Sequence, residues 1–188
     1  MRINQDHRLT RVRRRDSPNF DARPDVDDIS LIVVHGISLP PGEFGGDEIE
    51  ALFCNELDHP QLLALADYRV SAHLLIDRRG RCTQFVAFDQ RAWHAGESAW
   101  RGRTGCNDFS IGIELEGTDT RPYTQAQYRK LGSVIRAVLA HYPRLAADAI
   151  VGHLEVAAGR KTDPGPAFNW SAVLRGAAWL PDAAERPA

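Results

Sequence analysis

The chain reads as an α/β protein: a mixed central β-sheet with helices on its faces. Three stretches predict this. Residues 30–35, SLIVVH, are a nearly continuous apolar run rich in β-branched side chains, the pattern of a strand buried on both faces. Residues 109–117, FSIGIELEG, alternate, with Ile111, Ile113 and Leu115 on one face and Gly112, Glu114 and Glu116 on the other. Beyond Thr124, Tyr128, Leu131, Val134, Ile135, Val138 and Leu139 recur at helical spacing.

The elements follow in order. Residues 17–28 are polar and turn-rich, and read as a surface loop leading to the first strand. After His35 and Gly36, the prolines and glycines of GISLPPGEFGG predict a long loop of the kind that lines or covers a site. Residues 47–55 predict a short helix with Ile49, Leu52 and Phe53 on one side, and residues 60–67 a second one. VSAHLLID and RCTQFVAF flank DRRGR, which predicts a β-hairpin turning at Gly80. Because a hairpin interrupts the strand–helix alternation, the sheet is mixed. Residues 91–108 are irregular and carry Trp93, His94 and Trp100 among arginines, a composition that suits a ligand wall. Thr124 and Gln127 form a capping box for the long helix, and Pro143 stops it. AIVGHLE is the last strand and bears His153 just past its apolar part. Asn169 caps a short closing helix through Trp170, Val173 and Leu174, and the tail after Pro181 reads as disordered.

With 188 residues the chain reads as one domain with a core over about residues 17–178, flanked by a basic N-terminal arm and a disordered tail. A net charge of −2 gives no bulk field for nucleic acid. The arginine-rich run of residues 8–15 reads as a solvated arm. No apolar run approaches the roughly 20 residues of a membrane span, and no signal-peptide core follows the basic residues. Cys54, Cys82 and Cys106 are odd in number and widely spaced, so they read as packing residues in a reducing compartment, which with the rest predicts a cytoplasmic protein.

Chemistry concentrates in residues 152–168, GHLEVAAGRKTDPGPAF, where glycines and prolines preclude a long helix. His153 and Asp163 are metal-type ligands there, and Lys161 stands between them. A catalytic zinc takes three protein ligands, and the candidate third is His35, at the end of LIVVH, a strand end where open sheets place ligands. Each has an ordinary use too: strand-end histidines are common, DPG is a turn signal, and Lys161 alone is a surface lysine. Of the remaining histidines, His7 and His59 read as solvated, His141 suits the helix C-terminus, and His73 reads as a core histidine. Glu114 sits mid-strand, where an unpaired carboxylate is costly. It is either paired or held with a raised pKa for acid/base work, unless Glu116 is the one at the sheet margin instead.

Together VVHxISLPPGEFGG, RVSAHxLI, RAWHAG, CNDFSIGIELEGTDT and GH…RKTDPGPAFxW resemble the zinc N-acetylmuramoyl-L-alanine amidases, a family related to phage-type amidases and peptidoglycan recognition proteins. The resemblance runs in order over nearly the whole chain and implies that family's mixed-sheet fold. It implies His35, His153 and Asp163 as zinc ligands, Glu114 as acid/base, and Lys161 as the cation that stabilises the transition state. It also implies that Arg69, Trp93, His94 and Asn107 lie along a muropeptide cleft. The implied reaction is hydrolysis of the bond between anhydro-N-acetylmuramic acid and L-alanine in 1,6-anhydromuropeptides. The partner expected is that substrate alone, with the protein a monomer and, from charge and hydropathy, no nucleic acid or membrane bound. Gly36 departs from the asparagine usual after the first zinc histidine, and Gly105 replaces a residue that is often basic. A non-catalytic muropeptide-binding module of the same fold is the alternative reading. An adaptor acting through the arginine-rich segment is a third.

Overall fold

The computed structural model describes residues 1–177. Ten strands and four α-helices are assigned within them. The main sheet has six strands in the order β1-β5-β4-β9-β3-β10. Its centre is β3 (Leu31–Ile37) beside β9 (Ser110–Glu116), paired in parallel over seven residues. β4 (Leu74–Ile76) runs parallel to β9 and antiparallel to β5 (Cys82–Gln84), which is the predicted hairpin with Gly80 at φ +78° in its turn. β10 (Ile150–Gly152) lies parallel to the outer side of β3. The sheet is therefore mixed, as the interrupted alternation required.

Alternation sets the two faces. Ile32, Val34, Ile111, Ile113 and Leu115 point into one core cluster, shared with Leu131, Val134, Ile135 and Val138 of α2 (Gln125–His141) and with Val173 of α4 (Trp170–Ala177). Thr124 Oγ1 accepts from the Gln127 amide at 3.2 Å and Gln127 Oε1 accepts from the Thr124 amide at 2.9 Å, completing the capping box. Gln127 Nε2 also donates to the Glu116 carbonyl at 2.8 Å, which ties the helix to the end of β9. Asn169 caps α4 by accepting from the Ala172 amide at 3.0 Å. On the opposite face, α1 (Glu48–Phe53) packs Ile49, Leu52 and Phe53 against Leu75 and Phe85. The second predicted short helix is a 3-10 segment, Pro60–Leu65, capped by the ring of His59, which accepts from the Gln61 amide at 3.2 Å.

Three N-terminal expectations are corrected. The arginine run is not a solvated arm: β1 (Arg13–Arg14) forms the edge of the main sheet against β5, and Arg13 and Arg15 bind the buried Glu50 carboxylate at 2.6 and 3.0 Å. Residues 17–28 are not a loop over the surface either. β2 (Phe20–Ala22) pairs antiparallel with β6 (Gln90–Ala92), and Ser17, Asn19 and Arg23 are buried. Hydrogen bonds bury these polar groups: Arg23 alone donates to the carbonyls of Phe88, Asn107, Asp108 and Ser110. Polarity of sequence reads as exposure only when such partners are out of reach. His7, likewise expected in solvent, places Nδ1 2.9 Å from the Tyr142 hydroxyl. All three cysteines are buried and unpaired, in agreement with a packing role. No helix among the described residues is long and apolar enough to cross a membrane. The predicted disordered tail lies outside the described residues.

Candidate active site

The face of β3 and β9 turned away from α2 carries the site. Register places His35 directly beside Glu114, so strand pairing alone puts imidazole and carboxylate side by side. β10 then ends at Gly152, and the chain turns into α3 (His153–Val156), whose first residue points back over β3. The following turns return Asp163 to the same spot, where the Leu154 amide donates to the Asp163 carbonyl at 3.0 Å. The Asp163–Pro164 peptide is cis.

Three donor atoms converge. His35 Nδ1 lies 3.0 Å from His153 Nδ1 and 3.3 Å from Asp163 Oδ2, and His153 Nδ1 lies 3.1 Å from the same oxygen. Tetrahedral ligands about 2.0 Å from zinc stand about 3.3 Å apart, so the triangle has the size a zinc ion requires. The outer ring nitrogen fixes the tautomer of His153 and permits the same one in His35. His153 Nε2 faces the Ala95 carbonyl at 3.3 Å and must carry its proton, since a carbonyl only accepts. His35 Nε2 meets His94 Nδ1 at 3.0 Å, and His94 Nε2 meets Ser110 Oγ at 3.2 Å. With protons on the outer nitrogens, both Nδ1 lone pairs and a carboxylate oxygen face one point. A divalent cation resolves that crowding. This is the one such trio among the described residues.

Electrostatics agree with the donor set. Burial pushes the His35 imidazole down to about 4, keeping it neutral as a ligand must be. Burial would raise the Asp163 carboxyl, but the two imidazoles beside it, His153 and His35, outweigh that and hold the group below the usual carboxylate range. Glu114 behaves oppositely: burial, then the neighbouring Asp163 charge, raise it well above the usual range, against a smaller pull from Lys161. Its Oε1 is 3.9 Å from His35 Nδ1, and its Oε2 has no hydrogen-bond partner among the described residues. A buried carboxylate oxygen left open beside a metal triangle is equipped to take and return a proton.

A cavity of about 270 Å³ opens onto these groups, lined by His35, Glu114, His153, Asp163, Lys161, Trp93 and His94. Seven of the nine residues singled out in the sequence therefore share one wall. The remaining two do not line it. Arg69 is exposed and donates to the carbonyls of Ala66 and Tyr68. Asn107 Oδ1 accepts from the backbone amides of His94 and Ala95 at 3.2 and 2.8 Å, so it braces the loop behind the cleft. His94 has both ring nitrogens engaged, which makes it a support for His35 more than a ligand contact. Gly112 is the space for it: a Cβ there would collide with the His94 ring. Leu65, Tyr68, Val70 and Ile37 also line the cavity and were missed. Tyr68 is 57% exposed at its mouth. No sequence signal marked these four: Leu65 closes the 3-10 segment, Tyr68 and Val70 follow it in the connection, and Ile37 is the last residue of β3. Roomier concavities of about 440 and 650 Å³ lie elsewhere on the surface, without a comparable donor set among the described residues.

Gly36, the departure from the resembling family, has a structural counterpart. A Cβ at this position would collide with the Tyr123 hydroxyl, which occupies that space. Gly105 adopts φ +70° ahead of the short turn bearing Asn107, a conformation glycine takes without strain.

Comparison with known proteins matches this architecture. Residues 25–166 match the family described as Amidase_2, N-acetylmuramoyl-L-alanine amidase. The 1,6-anhydro-N-acetylmuramyl-L-alanine amidase AmpD of Salmonella typhimurium is 58% identical over 165 residues, covering 86% of this chain and 88% of that protein. A crystal structure of a selenomethionine AmpD derivative superposes with a TM-score of 0.90 at 52% identity, over 94% of this chain and 99% of that one. The amidase AmiD of Escherichia coli, solved with anhydro-N-acetylmuramic acid-L-Ala-D-gamma-Glu-L-Lys, superposes at 0.61 with 30% identity, over 82% of this chain and 58% of that one. The chain belongs to the N-acetylmuramoyl-L-alanine amidase family.

Proposed function

We propose that this chain hydrolyses the amide bond between 1,6-anhydro-N-acetylmuramic acid and the L-alanine of the stem peptide, in peptidoglycan recycling, with zinc held by His35, His153 and Asp163. One observation carries the reading. The buried, half-unpartnered Glu114 carboxylate stands 3.9 Å from a donor triangle of zinc dimensions. The substrate class comes from relatives whose names specify it, and from AmiD solved with an anhydromuropeptide.

An amide is a weak electrophile with a poor leaving group. Bound zinc supplies a Lewis acid that polarises the carbonyl and makes water easier to deprotonate. Glu114 accepts the proton from the attacking water and hands it to the departing amine nitrogen, a transfer its raised pKa favours. Lys161 places a positive charge on the cleft wall where negative charge develops on the carbonyl oxygen. His94 orients His35, and Asn107 holds the backbone of His94 and Ala95. Trp93 offers an aromatic wall to the muropeptide. The enzyme acts as a monomer in the cytoplasm, where its three unpaired thiols stay reduced.

The test is digestion of a purified anhydromuropeptide with and without a chelator. Peptide release that stops on chelation and returns with zinc is the expected result. Release unaffected by metal removal overturns the zinc reading. Tight binding without release, with zinc present, favours the binding-module alternative.

A further inference from the structure

Tyr123 is buried, 6% exposed, and belongs to no part of the mechanism above. Its hydroxyl donates to the Pro164 carbonyl at 3.1 Å, one residue beyond the ligand Asp163. The ring cannot retreat. It packs edge-on against Phe168 at 5.2 Å between centroids, and its other edge fills the space a Cβ on Gly117 would take. The hydroxyl reaches Pro164 by crossing the bare Cα of Gly36, the residue after the ligand His35. Gly36 is itself part of this contact: its amide lies 3.4 Å from Asp163 Oδ2, and a Cβ on it would stand 3.4 Å from Pro164 Cα. The far side of the turn is fixed as well, since the Ala167 amide donates to the Asp119 carbonyl at 2.9 Å.

We propose that Tyr123 is a positioning residue for the metal site. Its hydroxyl, admitted by Gly36, holds the Pro164 carbonyl and so sets where the Asp163 carboxylate meets the two histidines. The inference rests on the zinc reading above and adds a determinant of it from outside the ligand set. Gly36 and Tyr123 form a lock: one must lack a side chain for the other to reach its partner. A phenylalanine at 123 keeps the ring packing and removes the bond. An alanine at 36 keeps the hydroxyl but displaces it.

The experiment uses the full-length protein with Tyr123→Phe and Gly36→Ala, and with zinc and cobalt(II) as probes. Metal affinity is read by competition with a chromophoric chelator, and coordination by the visible absorption of the cobalt form. Turnover is followed on an anhydromuropeptide. Both variants are expected to fold, to bind zinc about tenfold more weakly, to show altered cobalt bands, and to lose kcat at unchanged KM. Wild-type affinity, spectrum and kcat in both variants overturn the lock while leaving the zinc reading intact. Failure of the unmutated protein to take up zinc overturns the reading beneath and the lock with it. If Tyr123→Phe does not fold, Gly36→Ala decides alone: an unaltered cobalt spectrum in it overturns the proposal.

Discussion

The two ends of β9 bury opposite charges and treat them differently. At its start, the Arg23 guanidinium is enclosed beside Ser110, and four backbone carbonyls accept its protons. Four residues further on, Glu114 is equally enclosed, yet one of its oxygens has no partner among the described residues. Burial lowers the Arg23 guanidinium to about 10, still charged at neutral pH, while it raises Glu114 well above the carboxylate range. The first end is finished and holds the fold. The second is left open and holds the chemistry. A buried charge with every bond made is architecture, and one with a bond missing is a place where something else must bind or react.

Substitutions at the two ends should separate these roles. The largest effect belongs to the open end. Glu114→Gln is expected to lower kcat about a thousandfold, in keeping with loss of a general acid/base, while leaving the urea midpoint equal or higher, because a costly buried carboxylate is gone. A turnover near wild type would remove Glu114 from the mechanism. At the finished end, Arg23→Met should cost about 3 kcal/mol of stability by urea unfolding, since it strands buried carbonyls. Turnover per folded molecule should change only severalfold. Next, Lys161→Met should slow turnover about a hundredfold with no loss of stability, as for removal of one transition-state contact. Smallest is a pH effect. Burial holds His73 well below the imidazole range, and its Nδ1 accepts from the Gly112 amide at 3.0 Å. The unfolded chain therefore takes up a proton below about pH 6.5 that the folded chain refuses, and stability falls as pH drops. His73→Asn keeps an acceptor there and should flatten that fall by about 1.4 kcal/mol per pH unit.

The open end was far more legible in the sequence than the finished one. His35 and His153 close apolar runs, Asp163 sits in a proline–glycine turn and Glu114 is a carboxylate inside an apolar strand, places where ordinary packing explains them poorly and a family pattern picks them out. The central strands, the hairpin and the capped helix were equally clear, because their signals are local: alternation, a glycine turn, helical spacing. Arg23 gave no such signal. Its partners are 50 to 87 residues away, and within a polar stretch a cation bound for the interior looks like one bound for water. Arg13 was misread for the same reason, since its place depends on pairing with β5, some 70 residues on. Arg69 and Asn107 carry a related lesson. A resemblance places residues along a cleft, but which way each side chain turns is decided by its neighbours here.

The sheet also has a consequence for how the protein meets its own kind. Its outermost strands are stubs: two residues at one margin, both of them exposed arginines, and three at the other. Stubs this brief offer a visiting strand almost no backbone to zip onto, and the guanidinium groups repel a like margin from a second molecule. The segment that reads in the sequence as a basic N-terminal arm thus serves as a hem, closing the fabric against unravelling into its neighbours in a crowded solution.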